Sequence, residues 1–313
     1  MIKGRLASAI VDSLSRRYQA KLLAKLASVL GVSTVTLAGN NGVFEGRPDD
    51  FGLFFHYIER RMWSSGTVAT ICTLFDRLGG GTFVDIGANI GLTAVPVAML
   101  PGTKVIAIEA DPDNYALLCS NLRRNGCETN ASALHVAVGS EPGTFALVRN
   151  PTNSGDRRVR GPGQPSQDYE GGWESVEVVV RTLDDIMQQI SGVAAVAESG
   201  AMVAKMDIQG AEVRALRSGQ VTFGQADALF TEFWPAGIRR FGDRPDEYLN
   251  DLLHLFPYIC EYDEDSGAIR WHTRETLAPL LHLADDRPVA DGKWVRTDYR
   301  NLIACRERVR AML

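Results

Sequence analysis

Residues 83–91 read Phe83-Val84-Asp85-Ile86-Gly87-Ala88-Asn89-Ile90-Gly91, a strand running into a glycine turn. The stretch begins as a short apolar strand ending on an acid, and the glycines beyond it let the backbone turn tightly. A helical stretch follows to about Leu100. The next strand, residues 104–109, also ends on an acid, Glu109, and Pro112 opens a helix reaching about Arg124, because proline suits the first helical turn. Residues 134–138 read as a third strand. Strands alternating with helices in this way predict right-handed βαβ units and a parallel sheet, so the fold class is α/β.

Downstream, strands at 144–148 and 176–181 flank a loop at about 150–175 that is rich in glycine and proline. A loop of this length is either a lid over a site or a solvated insertion. It carries Arg157, Arg158, Arg160 and Trp173, groups able to hold an anionic or sugar-like ligand. Alternation resumes with a helix after Thr182, a strand at 202–207 ending on Asp207, a helix at 210–217 and a strand at 226–233 containing Glu232. A hairpin at 258–271 and a strand at 301–305 complete the pattern.

Upstream, residues 5–30 read as a helix, with Leu6, Ile10, Leu14, Tyr18, Leu22 and Leu26 recurring every four residues. Six basic residues, Lys3, Arg5, Arg16, Arg17, Lys21 and Lys25, face only Asp12. That polar face is either a solvated surface of a helix packed on the core or a contact with a membrane surface or another anionic partner. Gly39-Asn40-Asn41-Gly42 signals a turn, and a further helix is expected over 51–62. The expected division is an N-terminal helical extension, 1–78, and an α/β domain, 79–313, with the insertion at 150–175.

The 313 residues, 45% hydrophobic and 23% charged, are ordinary for a globular chain. A net charge of -5 gives no basic field for nucleic acid, so none is expected as a partner. The five cysteines are scattered with no C-x-x-C pair, which leaves neither a zinc site nor a dithiol redox motif and fits reduced thiols in a cytoplasm. No apolar run has membrane-span length, and the N-terminus lacks a signal-peptide apolar core.

A nicotinamide fingerprint needs G-x-G-x-x-G, but Gly87 and Gly91 lie four apart with Asn89 between them. Asp85, at the end of its strand, suits a cationic group better than a pyrophosphate. Glu109 stands where a carboxylate can accept both hydroxyls of a ribose. Together they indicate a nucleoside-containing cofactor.

The ordered set D-I-G-A-N-I-G at 85–91, I-E-A-D-P at 108–112 and K-M-D-I-Q-G-A-E at 205–212 resembles the FkbM-type S-adenosylmethionine-dependent methyltransferases. The resemblance implies the class I methyltransferase fold, a Rossmann-like, mostly parallel seven-stranded sheet with its last strand antiparallel. It implies that Asp85, Gly87, Ala88, Asn89 and Gly91 hold the methionine part of the cofactor, and that Glu109 and Ala110 meet the ribose. Ala137 and Val138 would lie beside the adenine, and Asp207 would face cofactor and acceptor. The family usually has glutamate where this chain has Gln209.

The function expected from this resemblance is methyl transfer to a hydroxyl of a small molecule such as a sugar, glycoside or natural product. An N-methyltransferase of the same fold and a non-catalytic nucleoside-binding or membrane-adaptor protein are the alternatives. An alcohol acceptor needs a positioned base; Asp207, Glu232 and a histidine are the candidates, with the strand residue His135 the poorest. Asp207 and Glu232 offer two oxygen ligands for Mg²⁺, but no third is identifiable and no metal ligand is assigned. Arg60, Arg61 and Trp63 are candidates for closing the site, and Lys205 reads as a strand-flanking charge.

Overall fold

The computed structural model describes residues 15–63, 65–161, 164, 170–197, 200–264, 266–283, 287–288, 294–295 and 299–313. Its centre is an eight-stranded sheet built from β3 (Gly81–Ile86), β4 (Thr103–Glu109), β5 (Ala131–His135), β10 (Ala201–Met206), β11 (Ala228–Phe233), β12 (Tyr258–Tyr262), β13 (Ile269–His272) and β16 (Arg300–Cys305), in the order β13-β12-β16-β11-β10-β3-β4-β5. Neighbours from β5 through β11 pair in parallel, whereas β16 runs antiparallel to both β11 and β12. Outside this sheet, β14 (Arg287–Pro288) and β15 (Trp294–Val295) pair antiparallel with each other.

This is the mostly parallel α/β sheet expected, with one addition. The edge strand β13 pairs antiparallel with β12 and makes eight strands where seven were expected. Strand order reverses between β3 and β10, and in open α/β sheets the crevice at such a switch point is where ligands bind.

The alternating side chains of the central strands feed two cores. Phe83, Val105 and Ala107 pack on one face, and Val84, Ile106 and Ile108 on the other. The first face is covered by α2 (Phe54–Arg60), α3 (Ser65–Leu78), α4 (Ala94–Ala98) and α5 (Pro112–Arg124). The second is covered by helices that include α6 (Leu183–Ala197) and α7 (Glu212–Ser218). The Asn40-Asn41 turn joins a hairpin of β1 (Val35–Gly39) and β2 (Gly42–Gly46), which Asn121 of α5 anchors through the Glu45 backbone.

Three expectations are corrected. Residues 134–138 are not one strand: the chain leaves the main sheet after His135, and Ala137–Val138 joins a second, four-stranded sheet as β6. The segment 150–175 is not a plain loop either. β8 (Arg157–Arg160) lies inside it and pairs with β7 (Gly143–Arg149), which pairs in turn with β9 (Glu174–Arg181). Pro162, Gly163 and Pro165 lie outside the described residues.

The third concerns α1 (Arg16–Leu30), which buries Ala20, Ala24 and Ala27 and leaves Tyr18, Leu22 and Leu26 exposed. Small alanines allow close approach to the underlying α2, so the expected apolar stripe is the outer one. Leu6, Ile10 and Leu14, with Lys3, Arg5 and Asp12, lie outside the described residues. No described helix is long and apolar enough to cross a membrane.

Candidate active site

A cavity of about 390 Å³ opens at the carboxyl ends of the central strands, on the switch point. One half is walled by the turn Gly87-Ala88-Asn89, by Glu109 and Ala110, and by Ala137 and Val138. The N–H groups of Gly87 and Ala88 donate to the Ile108 carbonyl at 3.0 and 2.9 Å, which folds the turn back over β4. Gly87 has φ +84°, and a Cβ there would stand 2.1 Å from the Asp207 carbonyl oxygen. Only glycine lets β3 and β10 approach so closely at their ends. Asn89 adopts φ 51°, a conformation asparagine tolerates.

Glu109 is buried, and its two carboxylate oxygens accept the N–H groups of Asp111 and Asn89, each at 2.8 Å. Burial pushes this carboxyl up to about 7, with the two backbone hydrogen bonds pulling the other way. A carboxylate offers about four lone-pair sites, so two remain for hydroxyl donors in the cavity. Asp111 caps α5 by accepting from Asp113 and Asn114, and pairs with Arg149 at 2.6 Å and with Arg157.

The turn between β7 and β8 lies over this half. The Ser154 carbonyl accepts from the side chains of Asn89 (2.9 Å) and Asn114 (3.3 Å), while the Ser154 N–H donates to Asp50 at 3.1 Å. Arg157 reaches the Asn114 amide oxygen at 3.1 Å and lines the cavity. Arg158 and Arg160 instead share Glu170, at 2.9 and 2.7 Å, Arg158 sits 5.3 Å over the Trp173 ring, and none of these four residues lines the cavity.

Beside the Gly87 turn the wall continues with Asp207, and Glu232, Lys205, Trp63, Tyr262, Glu264, Tyr299 and Asn301 also line the cavity. Met206 pairs with Thr231 across β10 and β11, so Asp207 and Glu232 follow at neighbouring strand ends. Asn301 of β16 is the register partner of Glu232. Asp207 accepts at Oδ1 from Gln209 Nε2 at 2.6 Å. Glu212 closes the same turn by accepting from the N–H groups of Ile208 (3.1 Å) and Gly210 (2.9 Å), and burial pushes its carboxyl up to about 7.

Two residues expected in the cradle lie elsewhere. Asp85 is fully buried behind the wall, with Oδ1 3.4 Å from Lys205 Nζ and Oδ2 without a hydrogen-bond partner among the described residues. Its carboxylate meets a cation of the protein itself. Lys205 is therefore not a strand-flanking charge but part of the cavity wall. Burial opposes its charge, but the negative charges of Asp85, Asp207 and Glu264 and the hydrogen bond to Asp85 hold the ammonium above its ordinary range. Gly91, at φ +90°, packs towards Leu118 and does not line the cavity.

None of the five histidines lines the cavity; His135 stacks on Tyr115 with ring centroids 5.0 Å apart. Arg60 and Arg61 are also away from it, whereas Trp63 is in its wall. Among the described residues, no three acidic, histidine or cysteine side chains come together as a metal-holding group. Tyr262, Glu264, Tyr299, Asn301, Asn114 and Thr67 were not singled out by sequence, and only Asn301 carried a hint, its place on the last strand.

The model of the methyltransferase FkbM domain matches residues 85–262, more than half the chain. No curated protein matches it in sequence. Among solved structures, an O-methyltransferase from Bacillus cereus in complex with SAH is 10% identical, with 76% of this chain and 80% of that one covered and a TM-score of 0.35. A SAM-dependent O-methyltransferase from Thermotoga maritima is 12% identical, with 87% and 77% covered and a TM-score of 0.36. EvdMO1 is 10% identical with a TM-score of 0.33; 77% of this chain is covered, and the chain spans 40% of that structure's length.

Proposed function

Because the chain belongs to the FkbM methyltransferase family, we propose that it is an O-methyltransferase, moving the methyl group of S-adenosylmethionine to a hydroxyl of a small molecule such as a sugar, glycoside or natural product. The observation that carries the reading is a pair of anchored carboxylates lining one cavity from the ends of the two strands that flank β3: Glu109, held by two backbone N–H groups, and Asp207, held by Gln209.

The cavity fits the cofactor. Its volume is within the usual range for small-molecule sites. The free lone pairs of Glu109 suit the two hydroxyls of a ribose. Ala137 and Val138 give an apolar wall suited to an adenine, and the Gly87–Asn89 turn lets backbone come close to the methionine part. When bound, the cofactor supplies an electrophilic methyl on a sulfonium whose sulfur leaves with the bonding pair.

The protein's own work is then alignment and proton removal. Asp207 takes the hydroxyl proton as the acceptor oxygen bonds to the methyl carbon, and Gln209 fixes the direction of the receiving carboxylate. Glu232, at the next strand end, orients the acceptor or receives the proton in its place. The turn at 150–156, tied to Asn89 and Asn114 through Ser154, shields the reacting atoms from water.

The test is transfer of labelled methyl from S-adenosylmethionine to a panel of sugars, glycosides and phenols, with matched amines beside them. The reading expects hydroxyl acceptors to be labelled and the Asp207→Asn variant to lose turnover while still binding S-adenosylhomocysteine. Labelling of amines alone, or full turnover by that variant, would overturn it.

A further inference from the structure

We propose that the outer face of α1 docks on an anionic lipid surface. The inward side of this helix is formed by buried Ala20, Ala24 and Ala27 with the partly buried Leu23, and the opposite side presents Tyr18, Leu22, Leu26 and Val29, exposed at 63%, 36%, 48% and 75%. At about 100° per residue these four fall within an arc of about 80°. Arg17, Lys21 and Lys25 follow one another at four-residue intervals and form a row along one edge of that arc. Arg16–Leu30 contains no acidic residue.

Those features select the occupant. An apolar stripe of this width would suit a protein groove as well as a bilayer, but a row of cations without a single acid matches a surface that is uniformly negative. Helices that lie in the membrane interface combine just these elements, with lysine stems running along the apolar edge and their ammonium groups at the phosphates. Tyr18 supplies the amphipathic aromatic ring suited to the headgroup level. In the sequence the four-residue spacing continues backwards through Leu14, Ile10 and Leu6, with Arg5 and Lys3 close by. α1 packs on α2, and Gly52 and Leu53, just before α2, line the cavity, so the docking face and the cavity share one support.

The full chain is sedimented with vesicles of equal parts phosphatidylcholine and phosphatidylglycerol, and with phosphatidylcholine alone. The protein should partition onto the mixed vesicles only, and added salt should release it. Lys21→Glu/Lys25→Glu and Leu22→Ser/Leu26→Ser should each weaken partitioning at least about tenfold. Thermal unfolding would show that both variants keep the fold. Failure of the wild-type chain to sediment, or wild-type partitioning by either variant, would overturn the proposal. So would a concentration-dependent dimer in light scattering that the leucine variant abolishes, because the face would then be occupied by a second copy. None of these readouts depends on the identity of the methyl acceptor.

Discussion

Gln209 donates from Nε2 to Oδ1 of Asp207 at 2.6 Å, from a backbone held at φ 58°. The family's usual glutamate at this position would face Asp207 with a second negative charge; the amide instead donates to it. Gln209→Glu is therefore expected to disorder the Asp207 carboxylate. Loss of a hydrogen bond to a charged group is worth about 1.5–3 kcal/mol, or about 10- to 100-fold in rate if the bond is needed in the transition state. kcat should fall by that order while the Kd for S-adenosylhomocysteine moves by less than about threefold. A parallel loss of affinity would assign Gln209 to cofactor binding instead.

Asp85 and Lys205 should behave as one unit. Removing one member of a buried ion pair leaves an uncompensated charge, at a cost of about 3–5 kcal/mol. Lys205→Met alone should lose about that much stability in urea unfolding, and adding Asp85→Asn to it should restore a substantial part. If the two losses simply add, the pair is not coupled and the 3.4 Å contact has no energetic meaning.

The buried carboxyls set a pH dependence with a definite sign. Burial raises Glu109 and Glu212 from the ordinary 4.5 to about 7. Between those values the folded state binds more protons than the unfolded one. The stabilisation is thus fully present below about pH 4.5 and is lost as pH rises through about 7. Thermal unfolding of the unliganded protein should show stability falling from pH 5 to pH 8, and Glu212→Gln should flatten that slope.

Cofactor affinity should run the other way. Hydroxyl donors prefer the charged form of Glu109, so the Kd for S-adenosylhomocysteine should weaken below about pH 7, by up to about tenfold per pH unit. Calorimetry on the wild type and on Glu109→Gln would read this. Equal Kd values at pH 6 and pH 8 in the wild type would remove Glu109 from the ribose site.

Gly87→Ala should be costlier than Gly79→Ala. Both glycines have positive φ, +84° and +78°, but a Cβ at Gly79 meets nothing within 4 Å, whereas at Gly87 it meets the Asp207 carbonyl at 2.1 Å. The dihedral penalty alone is about 1–2 kcal/mol, so the control should lose that much. Anything beyond it in Gly87→Ala measures the contact between the ends of β3 and β10, and equal losses would show that those ends separate freely.

The alternation of strands and helices is legible in the sequence, as is the position of Asp85, Glu109, Asp207 and Glu232 at or near strand ends. These are local matters: a strand's apolar period, a glycine turn and a proline at a helix start act within a few residues. The parallel direction of the central strands followed from the same signals, because a helix crossover between two strands returns the second parallel to the first.

Which of two compatible partners a residue takes is set by the packing of the whole chain. The period of α1 allowed either the leucine or the alanine stripe to face inwards, and the close packing on α2 chose alanine. The carboxylate of Asp85 could have met a cationic ligand, but Lys205, 120 residues away in the chain and one strand over, took it. Tyr262, Glu264, Tyr299 and Asn301 joined the cavity wall only because β12 and β16 close the sheet beside β11. Contacts of that range depend on the whole chain packing at once, and no spacing within a short window encodes them.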